Sequence, residues 1–193
     1  MSPALPLAAR NRLAGVILSA LRDARARQEL AALAGAPEDT LAGEWLEADD
    51  RGHADALRAR ARRADVALAA LPLEGREGSL AEALTEAAAL FDAGLYFEVH
   101  ELLEPWWRES HGGIRETLQG LVQIAVGYQH LANGNSAGAR ALLGEGSARL
   151  HGRSLEGLAL DAFAREVARS IDRLAEFDWD VVPRFPRRGA HAP

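Results

Sequence analysis

The stretch from Ile114 to Gly134, IRETLQGLVQIAVGYQHLANG, decides the fold. Leu118, Leu121, Val122, Ile124, Ala125 and Val126 make it the most apolar run of the chain, a helix over 114–132 that Asn133-Gly134 ends. The links around it are short: His111-Gly112-Gly113 before it, Asn133 to Asn135 after it, and Ala93-Gly94 one helix earlier. Short links between long helices place them antiparallel and side by side. The expected fold is therefore all-α, an up-and-down antiparallel helix bundle with an added N-terminal helical segment.

Working outward, Ser79 and Glu82 form a capping box that opens a helix to about Asp92, with Leu80, Leu84, Ala87, Ala88 and Phe91 on one face. After Gly94 a helix spans 95–109. Asn135 or Ser136 caps another that runs to about Leu150, and Asp161 caps a last one to about Glu176. Toward the N-terminus, Leu13, Val16, Ile17, Leu21, Leu30 and Leu33 mark one helix over 8–34, stopped by Gly35-Ala36-Pro37. Weaker helices cover about 38–48 and 53–71. Pro72 and the polar run 74–78 make a linker, and the Pro- and Arg-rich tail from Val181 is extended. The expected division is an N-terminal extension (1–75), a bundle core (79–186) and a tail (187–193).

Composition removes several kinds of chemistry. The chain has no cysteine, so disulfides, thiolate metal sites and cysteine nucleophiles are excluded. It has no lysine, which excludes lysine Schiff bases and a P-loop lysine. A formal net charge of −6 disfavours a general binder of nucleic-acid backbone. The arginines at 51, 58, 60, 62 and 63 stand beside Glu44, Glu47, Asp49, Asp50 and Asp55, which reads as a solvated amphipathic helix with local ion pairs. The start lacks a basic segment followed by a long apolar run, and no stretch is long and apolar enough for a bilayer. The expectation is a cytoplasmic protein with no membrane partner.

The segment that could carry chemistry is Phe97-Glu98-Val99-His100-Glu101-Leu102-Leu103-Glu104-Pro105-Trp106-Trp107. His100 and Glu104 are four apart and Glu101 and Glu104 three apart, so one helix turn presents an imidazole and two carboxylates. Metal-binding helices use this spacing. A zincin would need a second histidine where Glu104 stands. The donor set suits Mn, Fe or Mg better than structural Zn. Pro105 removes a backbone hydrogen bond and should kink or end the helix. In the next helix Gln119, Gln123 and His130 lie near one face, and Gly120 and Gly127 permit close helix approach. The simplest packing sets this helix against 95–109, bringing Gln119, Gln123 and His130 to His100, Glu101 and Glu104. The expected metal ligands are His100, Glu104, Gln123 and His130, with Glu101 and His100 catalytic. Trp107, Gln119 and Arg115 would line the pocket.

Phe91-Asp92-x-Gly94-x-Tyr96-Phe97-Glu98-x-His100-Glu101-x-x-Glu104-x-x-Trp107, continued by Leu118-Gln119-Gly120-Leu121-Val122-Gln123-x-Ala125, His130, Asn135 and Gly138-Ala139-x-x-Leu142-Leu143, resembles the domain-of-unknown-function family 309. The resemblance covers about residues 79–151 and extends toward Pro186. It implies an all-helical prokaryotic protein of a family labelled a predicted metal-dependent hydrolase. Two functions stand open on these residues. One is hydrolysis supported by a divalent ion (Mn, Fe, Mg or Zn) at the His/Glu/Gln site. The other is a non-catalytic module that binds a small molecule or a partner, with the His–Glu cluster a buried structural knot. A homodimer is the expected assembly.

Overall fold

The computed structural model describes residues 4–73, 78–174 and 177–188. Among the described residues the fold is all-helical apart from one two-stranded hairpin. In order the helices are α1 (Leu7–Ala20), α2 (Ala24–Gly35), α3 (Glu38–Glu44), α4 (Ala54–Ala69), α5 (Leu80–Asp92), α6 (Tyr96–Glu109), α7 (Gly112–Ala132), α8 (Ser136–Leu150) and α9 (Asp161–Ile171). A 3-10 turn over Ala48–His53 leads into α4, and the strands β1 (Ser154–Leu155) and β2 (Leu158–Ala159) pair antiparallel between α8 and α9. From α5 to α9 each helix packs on the next, as an up-and-down arrangement requires. Among the described residues no helix is long and apolar enough to cross a membrane.

Local chemistry explains most boundaries. Ser79 accepts the Glu82 amide while the Glu82 carboxylate accepts the Ser79 amide, so the expected capping box opens α5. Gly94 takes a left-handed φ of +71° between α5 and α6, a conformation that a side chain would strain. The Asn135 side chain caps α8 through the Gly138 amide. Other boundaries differ from the sequence expectation. The single helix over 8–34 is two helices, because the Asp23 carboxylate accepts the Ala26 amide at 2.7 Å and starts α2 afresh. Pro105 does not end α6, which continues to Glu109. The hairpin at 154–159 was not expected. It turns through Glu156 and Gly157, both at positive φ.

The tail is extended as expected but belongs to the core. Phe185 is buried against Phe91 and Phe163, and its amide donates to Asp92 at 2.9 Å. Arg187 pairs with the same carboxylate. Most of the expected linker (74–77) and the end of the tail (189–193) lie outside the described residues.

α7 sits at the centre, against α6 on one side and α8 on the other. The glycine contact is with α8. A Cβ at Gly146 would lie 2.8 Å from the Gly120 carbonyl oxygen and 2.8 Å from Ile124. One at Gly127 would lie 2.8 Å from the Leu143 side chain. The glycines therefore bring α7 to α8, where the sequence reading had set this helix against α6.

The N-terminal helices dock on the bundle through apolar contacts and two buried carboxylates. Buried residues of α1, α2 and α4 form one contiguous cluster with those of α5 to α9. Glu98 of α6 is fully buried and takes both arms of the Arg60 guanidinium, at 2.9 and 2.6 Å. Glu86 of α5, also fully buried, meets Arg22 at 3.0 Å. Arg60 thus departs from the solvated-helix reading, whereas Arg58 keeps to it by pairing with Glu38 and Asp55.

Gly146→Ala should destabilise the protein by about 1–3 kcal/mol through overpacking, more than the ~1 kcal/mol that alanine adds to a helix interior. Urea unfolding reads this directly, and equal or greater stability would contradict the close α7–α8 contact. Glu98→Ala strands a buried guanidinium and should cost about 3–5 kcal/mol, with the Arg60→Met, Glu98→Met double variant losing less than either single change. A Glu98→Ala protein that unfolds at the wild-type urea concentration would show the pair to be dispensable.

Candidate metal centre

α6 is a two-sided helix. Tyr96, Glu98, Val99 and Leu103 are buried, while Pro105, Arg108 and Glu109 are exposed. His100, Glu101 and Glu104 fall at the border, half-buried. One ligand atom from each lies within 4.8 Å of the others. The His100 Nδ1 is 3.1 Å from Glu101 Oε1, and its Nε2 is 3.8 Å from Glu104 Oε2. The other Glu104 oxygen, Oε1, accepts from the exposed Arg108 at 2.6 Å. The cluster is open to solvent on one side, which corrects the expectation of a buried knot.

The remaining expected site residues are distributed around this cluster. His130 lines the same hollow of about 270 Å³ as His100, together with Arg10, Tyr96, Phe97 and Val126. Its Nδ1 is engaged by the Asn135 side-chain amide at 2.9 Å. Gln123 is turned to α8, donating to Glu145 at 2.7 Å and accepting from Arg149 at 3.0 Å. The same helix rotation that sets Gly120 and Gly127 on α8 carries Gln123 there. Gln119 is half-buried and makes no side-chain hydrogen bond among the described residues. Arg115 donates to the carbonyls of Trp107 and Arg108 and lies over the Trp107 ring at 4.3 Å. It caps the C-terminus of α6, a common use of arginine. The Trp107 indole Nε1 is buried without a hydrogen-bond partner among the described residues.

Residues that the sequence reading gave no role complete the surroundings. Arg10, from α1, stacks on Phe97 with its guanidinium carbon 4.1 Å from the ring centroid. Nothing in the spacing of 1–34 points to a residue at position 10. Tyr96 is 5% exposed and packs edge-on to Phe91 and obliquely on Tyr128. Burial raises the Tyr96 phenol well above its ordinary range. Burial likewise raises Tyr128, to about 12, against a hydrogen bond to Ser170 that pulls the other way.

Residues 84–142, which contain the cluster, match the family model of a "Domain of unknown function (DUF309)". The chain is also similar to the uncharacterized protein YpuF of Bacillus subtilis (strain 168), 38% identical over 69 residues. That match covers 34% of this chain and 40% of the relative, so the chain spans about two fifths of the length of the relative it matches. No solved structure matches the chain.

Because both tyrosines of the chain are raised, tyrosinate absorbance should appear only above the ordinary phenol range. The sign follows from the neutral phenol being favoured in the folded state. This stability is complete below the unfolded value of 10.0 and is lost as pH rises through about 12. A spectrophotometric titration that ionises both phenols near pH 10 while the far-ultraviolet helix signal persists would contradict their burial.

Proposed function

We propose that this chain, whose DUF309 segment carries the cluster, is a divalent-cation protein of hydrolytic type, with the ion held by His100 and Glu104 on one turn of α6. The observation that supports it is the convergence of three ligand atoms within 4.8 Å on a half-buried, solvent-facing surface. The donors fit such an ion. The 3.8 Å between His100 Nε2 and Glu104 Oε2 is longer than a hydrogen bond. It is within the ~4 Å that two ligands can span when each lies ~2.1 Å from a common ion. One imidazole nitrogen and carboxylate oxygens suit Mn, Fe, Mg or catalytic Zn, with open positions left for solvent and substrate.

The protein residues divide the remaining work. Glu101 Oε1 lies 3.1 Å from the His100 Nδ1, and its negative charge there favours the tautomer that keeps the proton on Nδ1 and presents Nε2 to the ion. Glu101 Oε2, free of the ring, is the base positioned to take a proton from an attacking water. Arg108 binds Glu104 Oε1 and leaves Oε2 turned to the histidine. His130 stands across the shared hollow, where it orients a substrate rather than the ion. Bound there, a divalent ion supplies a Lewis acid that stabilises negative charge developing on the substrate.

Titration calorimetry of Mn, Zn and Mg into chelator-stripped protein tests this reading. The wild type should bind at least one of these ions, and His100→Ala and Glu104→Ala should each weaken it by about tenfold or more. Both side chains are partly exposed, so both variants should melt close to the wild type. Equal ion binding by wild type and by the double variant would overturn the assignment.

A further inference from the structure

On the other side of Tyr96 lies a larger chamber of about 420 Å³, within the size range of small-molecule sites. Its wall is contributed by both parts of the chain. Arg10, Arg60 and Arg63 come from α1 and α4, Tyr96 from α6, and Trp179 from the turn after α9.

The charges of this chamber do not balance internally. Arg60 is neutralised by the buried Glu98 beneath it. Asp92 is already satisfied by the Phe185 amide and by Arg187. Arg63 has no hydrogen bond and no ion pair among the described residues. Arg10 touches only the neutral Asn11 amide and the Phe97 ring. Arg63 and Arg10 therefore face the chamber without an ion pair among the described residues, Arg63 sharing the field of a Glu98 carboxylate that Arg60 already occupies. The Tyr96 hydroxyl, on a side chain 5% exposed, also lacks a hydrogen-bond partner among the described residues. The hydroxyl is thus open to the chamber and free to bond a ligand. The Tyr96 and Trp179 rings lie nearly parallel, 25° apart, and give the same chamber a flat aromatic side. Partial burial beside Arg60 also holds the Arg63 guanidinium below the usual arginine range, a penalty that a bound anion would offset.

We propose that this chamber binds a small planar molecule bearing an oxyanion, a carboxylate or a phosphate ester. Its charge is met by Arg10 and Arg63, its oxygen by the Tyr96 hydroxyl, and its ring by Trp179. Guanidinium pairs carboxylate and phosphate with the same fork geometry, so both sources share one chemistry. The two guanidiniums can only donate and carry positive charge, which disfavours a cationic ligand; the hydroxyl can donate alongside them. The proposal does not depend on the metal centre and is tested with chelator present.

The test is calorimetry of the full chain with benzoate, phenyl phosphate and, as the neutral analogue, benzyl alcohol. At least one anion should bind and benzyl alcohol should not; which anion binds names the source. Arg63→Gln should weaken that anion by about tenfold, and Tyr96→Phe by a smaller factor. Arg63 forms no ion pair and is partly exposed, so Arg63→Gln should keep the wild-type melting temperature. Arg169→Gln, on another surface, should bind as the wild type does. Absence of binding by both anions, or equal binding by Arg63→Gln and wild type, would overturn the proposal.

Discussion

A carboxylate with no exposure to water must have a cation against it, and at Glu98 that requirement ties the molecule together. Glu98 lies on α6 two residues before His100, and its partner Arg60 lies on α4, 38 residues earlier. Burying the pair costs desolvation that only good geometry and neighbouring apolar contacts can offset. The bidentate fork supplies the geometry, and the apolar faces of α1, α2 and α4 supply the contacts. The consequence reaches the site. With α4 held on one edge of α6, α1 lies along the next, and Arg10 comes to rest on Phe97. The N-terminal helices thus furnish part of the wall beside His100.

The second constraint is the close contact of α7 and α8. Gly120, Gly127 and Gly146 let the two backbones approach to a distance that a methyl group would obstruct. This fixes the rotation of α7. Gln123 goes with the glycine face and is absorbed by Glu145 and Arg149, while Val126, Gln129 and His130 are left on the side of α6. The polar stripe read from the sequence is therefore shared between two interfaces. Of its three members, His130 shares a hollow with His100. The cluster on α6 then depends on one helix turn rather than on two helices facing each other.

Much of this was legible in the residues, and the rest was hidden for identifiable reasons. The capping box at Ser79, the short links and the apolar run of α7 carry local information, and they yielded the helix order and the all-α class. His100, Glu101 and Glu104 converge because i, i+3 and i, i+4 spacing demands it. The break between α1 and α2 was masked because the apolar periodicity continues across it; only Asp23 as a cap marks it. The direction of the glycine face was not legible, since Gly120 and Gly127 admit a neighbour without saying which. Glu98 and Arg60 were hidden differently. Each sits among other charged residues, and nothing in spacing separates a buried pair from a solvated one 38 residues apart.

Arg10 gives the arrangement its electrostatic logic. It lines a hollow of about 330 Å³ that also contains Glu101, yet it forms no ion pair there and stacks on Phe97 instead. A guanidinium and a carboxylate free to meet across such a space ordinarily would, although an exposed pair contributes little. Here Glu101 is engaged by the His100 ring at 3.1 Å, and the aromatic face of Phe97 holds the arginine by its quadrupole. The face of Phe97 therefore keeps the basic patch to which Arg10 belongs from pairing with the acidic cluster of α6. Collapse of the two patches into internal ion pairs would leave neither sign of charge available to a ligand. The separation leaves Arg10 without an ion pair among the described residues while Glu101 stays beside the His100 ring.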